Sequence, residues 1–346
     1  MKVLITGNMG YVGPAVVAHL RALHPDWILE GLDTAYFAHR LTGASRLPEA
    51  VLDRQLFGDV REILPASLEG YDAIVQLAAL SNDPMGDRFA EVTQEINCSS
   101  AIAIARAADA AGCRRMVYAS SCSVYGIADG ARTERDPVAP LTTYAKSKVA
   151  AEQGLEQVSG SMVTTCLRFA TACGMSARLR LDLVLNDFVA SAVATRQINI
   201  LSDGTPWRPL IDIRDMAKAI DWALVRPMEA GGGFLVINAG REQSNYRVLE
   251  LAEWVAKARP GVSINVNATA PVDSRSYRVC FDLFARLAPH HQPTIDLAES
   301  IDGLIEGLER MNFADGDFRH SQMVRLQVLD QHIAEGRLTP ELEWVR

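Results

Sequence analysis

Three glycines at a spacing of three, Gly7, Gly10 and Gly13, stand between a short β-rich run, Lys2 to Thr6, and a stretch of helical spacing, Val12 to Leu23. A strand that turns through glycine directly into a helix restricts the fold strongly. Gly7 permits the tight turn, Gly10 lets backbone approach a pyrophosphate, and Gly13 lets the helix pack on the strand. The alternation then repeats. "WILEGLD" reads as a second strand ending at Asp33, Val51 to Phe57 as a third, "DAIVQLAA" as a fourth, "RRMVYASS" as a fifth and "MVTTCLRFA" as a sixth. Helical stretches lie between them, the longest from Glu91 to Ala111. Strands alternating with helices imply a doubly wound parallel α/β sheet, and their continuous apolar character fits a sheet covered on both faces.

After about residue 174 the pattern changes. A basic loop with Arg178 and Arg180 leads to a helix over Leu183 to Thr195 and the short strand "INIL". "SDGTPWRPLIDIRD" reads as a turn, a strand and the start of a helix over Asp215 to Val225. "FLVIN" is a further strand, and helices are expected over Tyr246 to Ala258, Leu297 to Met311 and Met323 to Ala334. This half is expected to fold back over the sheet as a smaller lobe.

A second motif lies in the first half. In Tyr144-Ala-Lys-Ser-Lys148 the phenol and the ammonium are four residues apart, hence on one helical face, where the lysine can lower the tyrosine pKa. A phenol tuned in this way can take a hydroxyl proton while a nicotinamide takes the hydride. Upstream, "YASSCSVYG" ends the fifth strand in hydroxyl residues at the edge where doubly wound sheets bind ligands. Asp33, at the end of strand two, can hold the adenosine ribose hydroxyls and would repel a 2′-phosphate, which favours NAD over NADP, with His39 and Arg40 nearby. Asp59-Val60 can contact adenine, and Asp59 can equally cap a helix.

Composition removes other classes. The net charge of −8 is contrary to nucleic-acid or anionic-membrane binding. No apolar run reaches the ~18 residues of a membrane span, and the strand beginning at Lys2 leaves no room for a signal peptide. The six cysteines form no C-x-x-C pair, and His290-His291 reads as a surface loop, so no metal site is expected. The expected compartment is the cytoplasm.

Taken jointly, "TGNMGYVG", Asp33, "GDV", "LAALSNDP", Asn97, "SSCSVYG", "YAKSK", "LRFATACG" and "DGTPWRPLIDIRD" resemble the extended short-chain dehydrogenase/reductase family, specifically its nucleotide-sugar epimerases and dehydratases. The resemblance is strongest over residues 1–174 and looser to about 285. It implies an NAD-binding Rossmann domain over 1–174, a substrate-binding lobe over 175–320 from which a strand and a helix return to the Rossmann domain around 205–240, and a C-terminal helical extension over 321–346. Tyr144 would be the acid/base, Lys148 its tuner and a ribose ligand, and Ser121 a hydrogen-bond partner of the reacting oxygen. Gly7, Met9, Gly10, Tyr11, Val12, Gly13, Asp33, Asp59, Val60, Leu77, Ala78, Ala79 and Asn97 would contact the cofactor. Ser81, Thr171, Asn186 and Arg208 would face the nucleotide sugar, with Arg275 or Arg278 as a second diphosphate clamp. Arg178 and Arg180 would either join them or lie in a solvated loop.

Departures from the family pattern narrow the chemistry. Where its sugar 4,6-dehydratases carry Thr-Asp-Glu, this chain has Ser121-Cys122-Ser123, which lacks the carboxyl pair that elimination of water needs. Thr171 replaces a substrate-contacting Asn. Cys122 and Ser123 are candidate catalytic groups, Cys122 alternatively a buried small residue at a strand end. The expected reaction is NAD-dependent epimerisation of a nucleotide-diphosphate sugar at carbon 4. Dehydration, decarboxylation and keto-sugar reduction are the alternative reactions on the same fold, and a non-catalytic dinucleotide sensor on that fold is the alternative from another functional class. The family also implies a homodimer through the Glu91–Ala111 and Tyr144 helices.

Overall fold

Seven parallel strands form the main sheet of the computed structural model, which describes residues 1–158, 160–267 and 276–345. They are β1 (Lys2–Thr6), β2 (Ile28–Asp33), β3 (Arg54–Phe57), β4 (Ala73–Gln76), β5 (Arg115–Ser121), β6 (Val163–Phe169) and β7 (Phe234–Ala239). Their spatial order is β7-β6-β5-β4-β1-β2-β3, each neighbouring pair parallel. Alternate side chains enter two separate cores. Val3 and Ile5 meet Val16, Val17 and Leu20 of α1 (Gly13–Leu23). Leu4 enters the other core, with Ile104 and Ala105 of α2 (Ser100–Ala110) and Leu155 of α3 (Thr143–Val158). This two-residue period is what places helices on both faces.

The second half supplies α4 (Val184–Thr195), α5 (Ile213–Val225), α6 (Val248–Ala258), α7 (Leu297–Arg310) and α8 (Arg325–Ala334). Helix α5 packs beside α1 on the main sheet, and β7 extends that sheet. Helices α4, α6 and α7 pack together with the parallel pair Gln197–Ile200 and Ser263–Val266. A small sheet joins Thr171–Cys173, Trp207–Asp212 and Asn245–Arg247. Ile127–Arg132 pairs with Ser276–Val279, a short edge pair without the apolar alternation that would reveal it in sequence.

Two expected elements differ in detail. The third strand begins only at Arg54, because Pro48–Val51 forms a 3-10 turn; proline at its start has no N–H for a strand ladder. The long helix expected over Glu91–Ala111 is helical from Ala90 to Ala110 but widens to a π turn at Glu95–Ser99. Asn97 lies in that turn. Its side chain accepts from Leu80 N (2.9 Å) and donates to Leu80 O (3.0 Å) and Ser147 Oγ (3.0 Å), pinning the loop that follows β4.

Because β2 and β4 lie on opposite sides of β1, the connections leave the sheet in opposite directions there. A crevice opens outside the carboxyl ends of β1 and β4, the expected ligand position in a doubly wound sheet. No helix among the described residues is long and apolar enough to cross a membrane.

Candidate active site

The crevice deepens into a cavity of about 920 Å³ between the carboxyl ends of the strands and the second half of the chain. Its floor is the glycine turn. Gly7 has φ of +72°, and a Cβ there would lie 2.5 Å from Ala78 N. A Cβ at Gly13 would lie 2.0 Å from Asn8 O, so only glycine lets α1 start against β1. The helix start at Val12 has no side-chain cap, leaving its amide dipoles directed at the cavity. The Asp33 carboxylate accepts from Met9 N (2.9 Å) and Ala35 N (2.7 Å) and lines the cavity, and burial raises its pKa. Asp59 does both of the things its sequence position allows. It caps the Val60–Glu62 turn through Arg61 N (2.8 Å) and lines the cavity with Val60.

One wall comes from β5 and α3. Tyr144 and Lys148 lie on the same face of α3, and the Ser121 hydroxyl at the end of β5 is hydrogen-bonded to Tyr144. All three line the cavity. Lys148 Nζ donates to Ala119 O (2.7 Å) and stands 4.6 Å from the Tyr118 ring centroid and 5.6 Å from that of Tyr144. Behind them the buried Arg168–Glu152 ion pair (2.7 Å) receives the Ser120 hydroxyl and holds Tyr125 OH through Arg168 Nη1 (3.0 Å), stiffening the wall.

The expected lowering of the Tyr144 pKa does not occur in the protein alone. Burial pushes it up to about 12, against which the Ser121 hydrogen bond works in the other direction. Lys148 is itself buried, and desolvation lowers its pKa to about 7, so its positive charge is only partly present at neutral pH. Burial is the stronger effect here, and it is not visible in a Y-x-x-x-K spacing.

The remaining candidates separate into two groups. Gly10, Tyr11, Leu77, Ala78, Ala79, Ser81, Ser123, Thr171, Arg180 and Arg208 line the cavity. Ser123 Oγ is buried with no hydrogen-bond partner among the described residues. Outside the lining lie Met9 and Asn97, which hold Asp33 and the Leu80 backbone instead. Asn186 is spent on Gly174 N (3.1 Å), Arg180 O (3.0 Å) and Tyr11 OH (3.0 Å). Arg178 is neither solvated nor in the cavity lining. It is completely buried, paired with Glu49 (2.8 Å) and donating to Ala38 O (2.6 Å). Arg278 stacks on Trp207, 5.2 Å from its centroid, outside the lining. Arg275 lies outside the described residues. Cys122 is turned from the cavity, fully buried, with Sγ donating to Arg168 O (3.1 Å), and burial drives its thiol pKa well up. It has no route to a substrate proton.

His291 lies beside Asp221 (3.5 Å), outside the cavity lining, and among the described residues no group of His, Cys, Asp and Glu is arranged to hold a metal ion. Sequence reasoning missed the C-terminal contribution, Arg319 and Arg325, which also line the cavity. A signal existed. Arg325, Val328, Leu329 and His332 are the buried residues of α8, so a charge occupies a position of the apolar stripe.

The arrangement leaves room for a dinucleotide along the floor and a further ligand beside Tyr144. The family model described as "NAD dependent epimerase/dehydratase family" matches residues 3–240. A UDP-glucose 4-epimerase from Streptomyces lividans is 26% identical, over 74% of this chain and 80% of its own. A dTDP-glucose 4,6-dehydratase from Streptomyces niveus is likewise 26% identical, over 75% and 77%. Among solved structures, MoeE5 in complex with UDP-glucuronic acid and NAD superposes with a TM-score of 0.76 at 25% identity, covering 90% of this chain and 99% of MoeE5.

Proposed function

The chain belongs to the NAD-dependent epimerase/dehydratase family, and from that premise we propose that it epimerises a nucleotide-diphosphate sugar at carbon 4. The observation that carries this reading is the makeup of the wall around Tyr144. The Tyr144 phenol and the Ser121 hydroxyl stand on the cavity wall with Ser123 beside them, while Cys122 turns away and none of positions 121–123 carries a carboxylate.

The glycine turn and the uncapped start of α1 fit a pyrophosphate, and Asp33 fits the adenosine ribose. Bound NAD supplies a reversible hydride acceptor, so a ring alcohol can become a ketone and return with no net redox change. The residues supply the rest. Tyr144 takes the proton of the ring hydroxyl and later gives one back. Ser121 donates to the oxygen as charge develops on it. The ammonium form of Lys148 favours the phenolate once its charge is present. Arg208 holds the diphosphate while the sugar turns to present its other face.

A second reading has one observation in its favour. Asp83 lines the cavity, with Thr142 donating to it (2.6 Å), and could supply a carboxyl that positions 122 and 123 lack. That would allow loss of water from the same keto-sugar. Incubation with UDP-, GDP- and dTDP-sugars without added cofactor, read by mass and proton NMR, separates the two. A product of unchanged mass with inverted ring couplings supports epimerisation; loss of 18 mass units, roughly one water, overturns it in favour of the Asp83 reading.

A further inference from the structure

The arginines of the cavity roof differ in how their charge is met. Arg180 pairs with Asp182 (2.6 Å) and Arg319 with Asp187 (2.6 Å). Just behind the roof, Arg178 pairs with Glu49 (2.8 Å). Arg325 forms no such ion pair among the described residues. Its Nη2 donates to Arg178 O (2.7 Å), and its guanidinium lies 4.3 Å from the Phe37 ring centroid. Its Nη1 is buried without a hydrogen-bond partner among the described residues. The side chain is 2% exposed and lines the cavity. Burial first, then the neighbouring Arg180 charge, holds its pKa down to about 9. A buried guanidinium without a counter-ion is costly, and an anionic ligand would relieve that cost.

Its surroundings locate the anion. The charged groups acting on Arg325 are Arg180, Asp182, Arg178 and Asp33. Its stacking on Phe37 places it beside the loop that follows Asp33 at the end of β2, and its bond to Arg178 O places it two residues along the chain from Arg180. The uncapped start of α1 borders the same cavity. The segment that carries Arg325 is held at the same end of the site. Tyr36 OH donates to Leu342 O, Trp344 Nε1 to Thr34 O (2.6 Å) and Arg61 Nη1 to Glu341 O (2.9 Å). These bonds secure the loops that follow Asp33 and Asp59.

We propose that Arg325 binds the pyrophosphate of the dinucleotide, so that a C-terminal segment outside the 3–240 family match supplies the cation facing the glycine turn. This rests on the dinucleotide reading above. Asp33, acting on the same guanidinium, disfavours a 2′-phosphate as the anion. Arg325→Gln keeps a donor for Arg178 O while removing the charge, and Arg325→Lys keeps the charge without the planar fork.

The test is calorimetric titration of the nucleotide-free full chain and both variants with adenosine, ADP-ribose, NADH and NADPH. In Arg325→Gln, affinity for ADP-ribose and NADH falls roughly 10- to 100-fold, with adenosine within about two-fold and Arg325→Lys in between. The nucleotide-free Arg325→Gln protein also melts at or above the wild-type temperature, since an unpaired buried charge is gone. Unchanged ADP-ribose affinity, or equal losses for ADP-ribose and adenosine, overturns the assignment and leaves Arg325 a packing residue. Selective loss of NADPH overturns it in favour of a 2′-phosphate. A wild-type chain that binds neither NADH nor ADP-ribose overturns the dinucleotide reading as well, whereas wild-type binding with Arg325→Gln unimpaired overturns only the role of Arg325.

Discussion

The β5–α3 wall and the arginine-lined roof enclose the same cavity but are built differently. The wall comes from a nearly continuous stretch, Ser121 to Lys148, whose side chains are positioned by one strand end and one helix. The roof is assembled from Arg180, Arg208, Arg319 and Arg325, brought together from distant parts of the chain. In the wall, function follows from residue type and helical period. In the roof, every candidate has the same guanidinium, and its role follows from whether a carboxylate has already neutralised it. Arg178 and Arg325 show this most directly: Arg178 is paired with Glu49 behind the cavity, while Arg325 lines the cavity with no ion pair among the described residues. Sequence proximity does not decide it, since Arg180, two residues from Arg178, lines the cavity while Arg178 does not.

The largest expected effect tests the wall. Tyr144→Phe lowers turnover about 10²- to 10⁴-fold while leaving ADP-ribose affinity nearly unchanged; a parallel loss of binding would mean that wall and roof are not separable. Next is the structural arginine. Arg178→Met leaves Glu49 buried without its partner and costs about 3–5 kcal/mol in denaturant unfolding, whereas an unchanged midpoint would make Arg178 a spare charge. Arg208→Ala should raise KM for the nucleotide sugar about ten-fold with a smaller change in kcat, seen in initial rates.

The next prediction concerns pH. The folded-state pKa of Lys148 is about 7, against 10.5 for an ordinary lysine. Between these values the unfolded chain holds a proton that the folded chain does not, so stability from this residue rises with pH. Its destabilising cost is fully present below pH 7 and is relieved as pH climbs toward 10.5. Lys148→Met is therefore stabilising mainly at low pH, the difference shrinking by at most about 1.4 kcal/mol per pH unit above 7. Unfolding curves on both sides of that value check the sign. The smallest effect is Ser123→Ala, a loss of about three-fold in kcat/KM with stability unchanged, because its hydroxyl has no partner among the described residues to forfeit.

Much of the fold was legible because it is written in local periods. The apolar runs of β1, β4, β5 and β6 and the glycines at 7, 10 and 13 need no distant information to imply a parallel sheet with a ligand crevice. Short paired strands such as Ile127–Arg132 and Ser276–Val279 were not legible, since each is defined by a partner far along the chain. The π turn at Asn97 was equally hidden, because its cause is a hydrogen-bond demand from the loop after β4. Among the candidate site residues, the glycine turn, Asp33, Ser121, Tyr144 and Lys148 were singled out by motif and spacing, and all of them line the cavity. The expected Tyr144 pKa shift had the wrong direction for the protein alone, because desolvation depends on what the rest of the chain packs around the phenol.

By itself, then, the amino-acid sequence determined the strand–helix alternation, the glycine turn and the shared helical face of Tyr144 and Lys148, all consequences of short-range geometry. Tertiary structure alone decided which charges are available. Glu49 neutralises Arg178 from 129 residues away, and Arg325 reaches Arg178 O across 147. Electrostatic pairing acts through space with no sequence period, so a buried arginine becomes a strut or a ligand-binding group only when the folded chain does or does not bring a carboxylate to it.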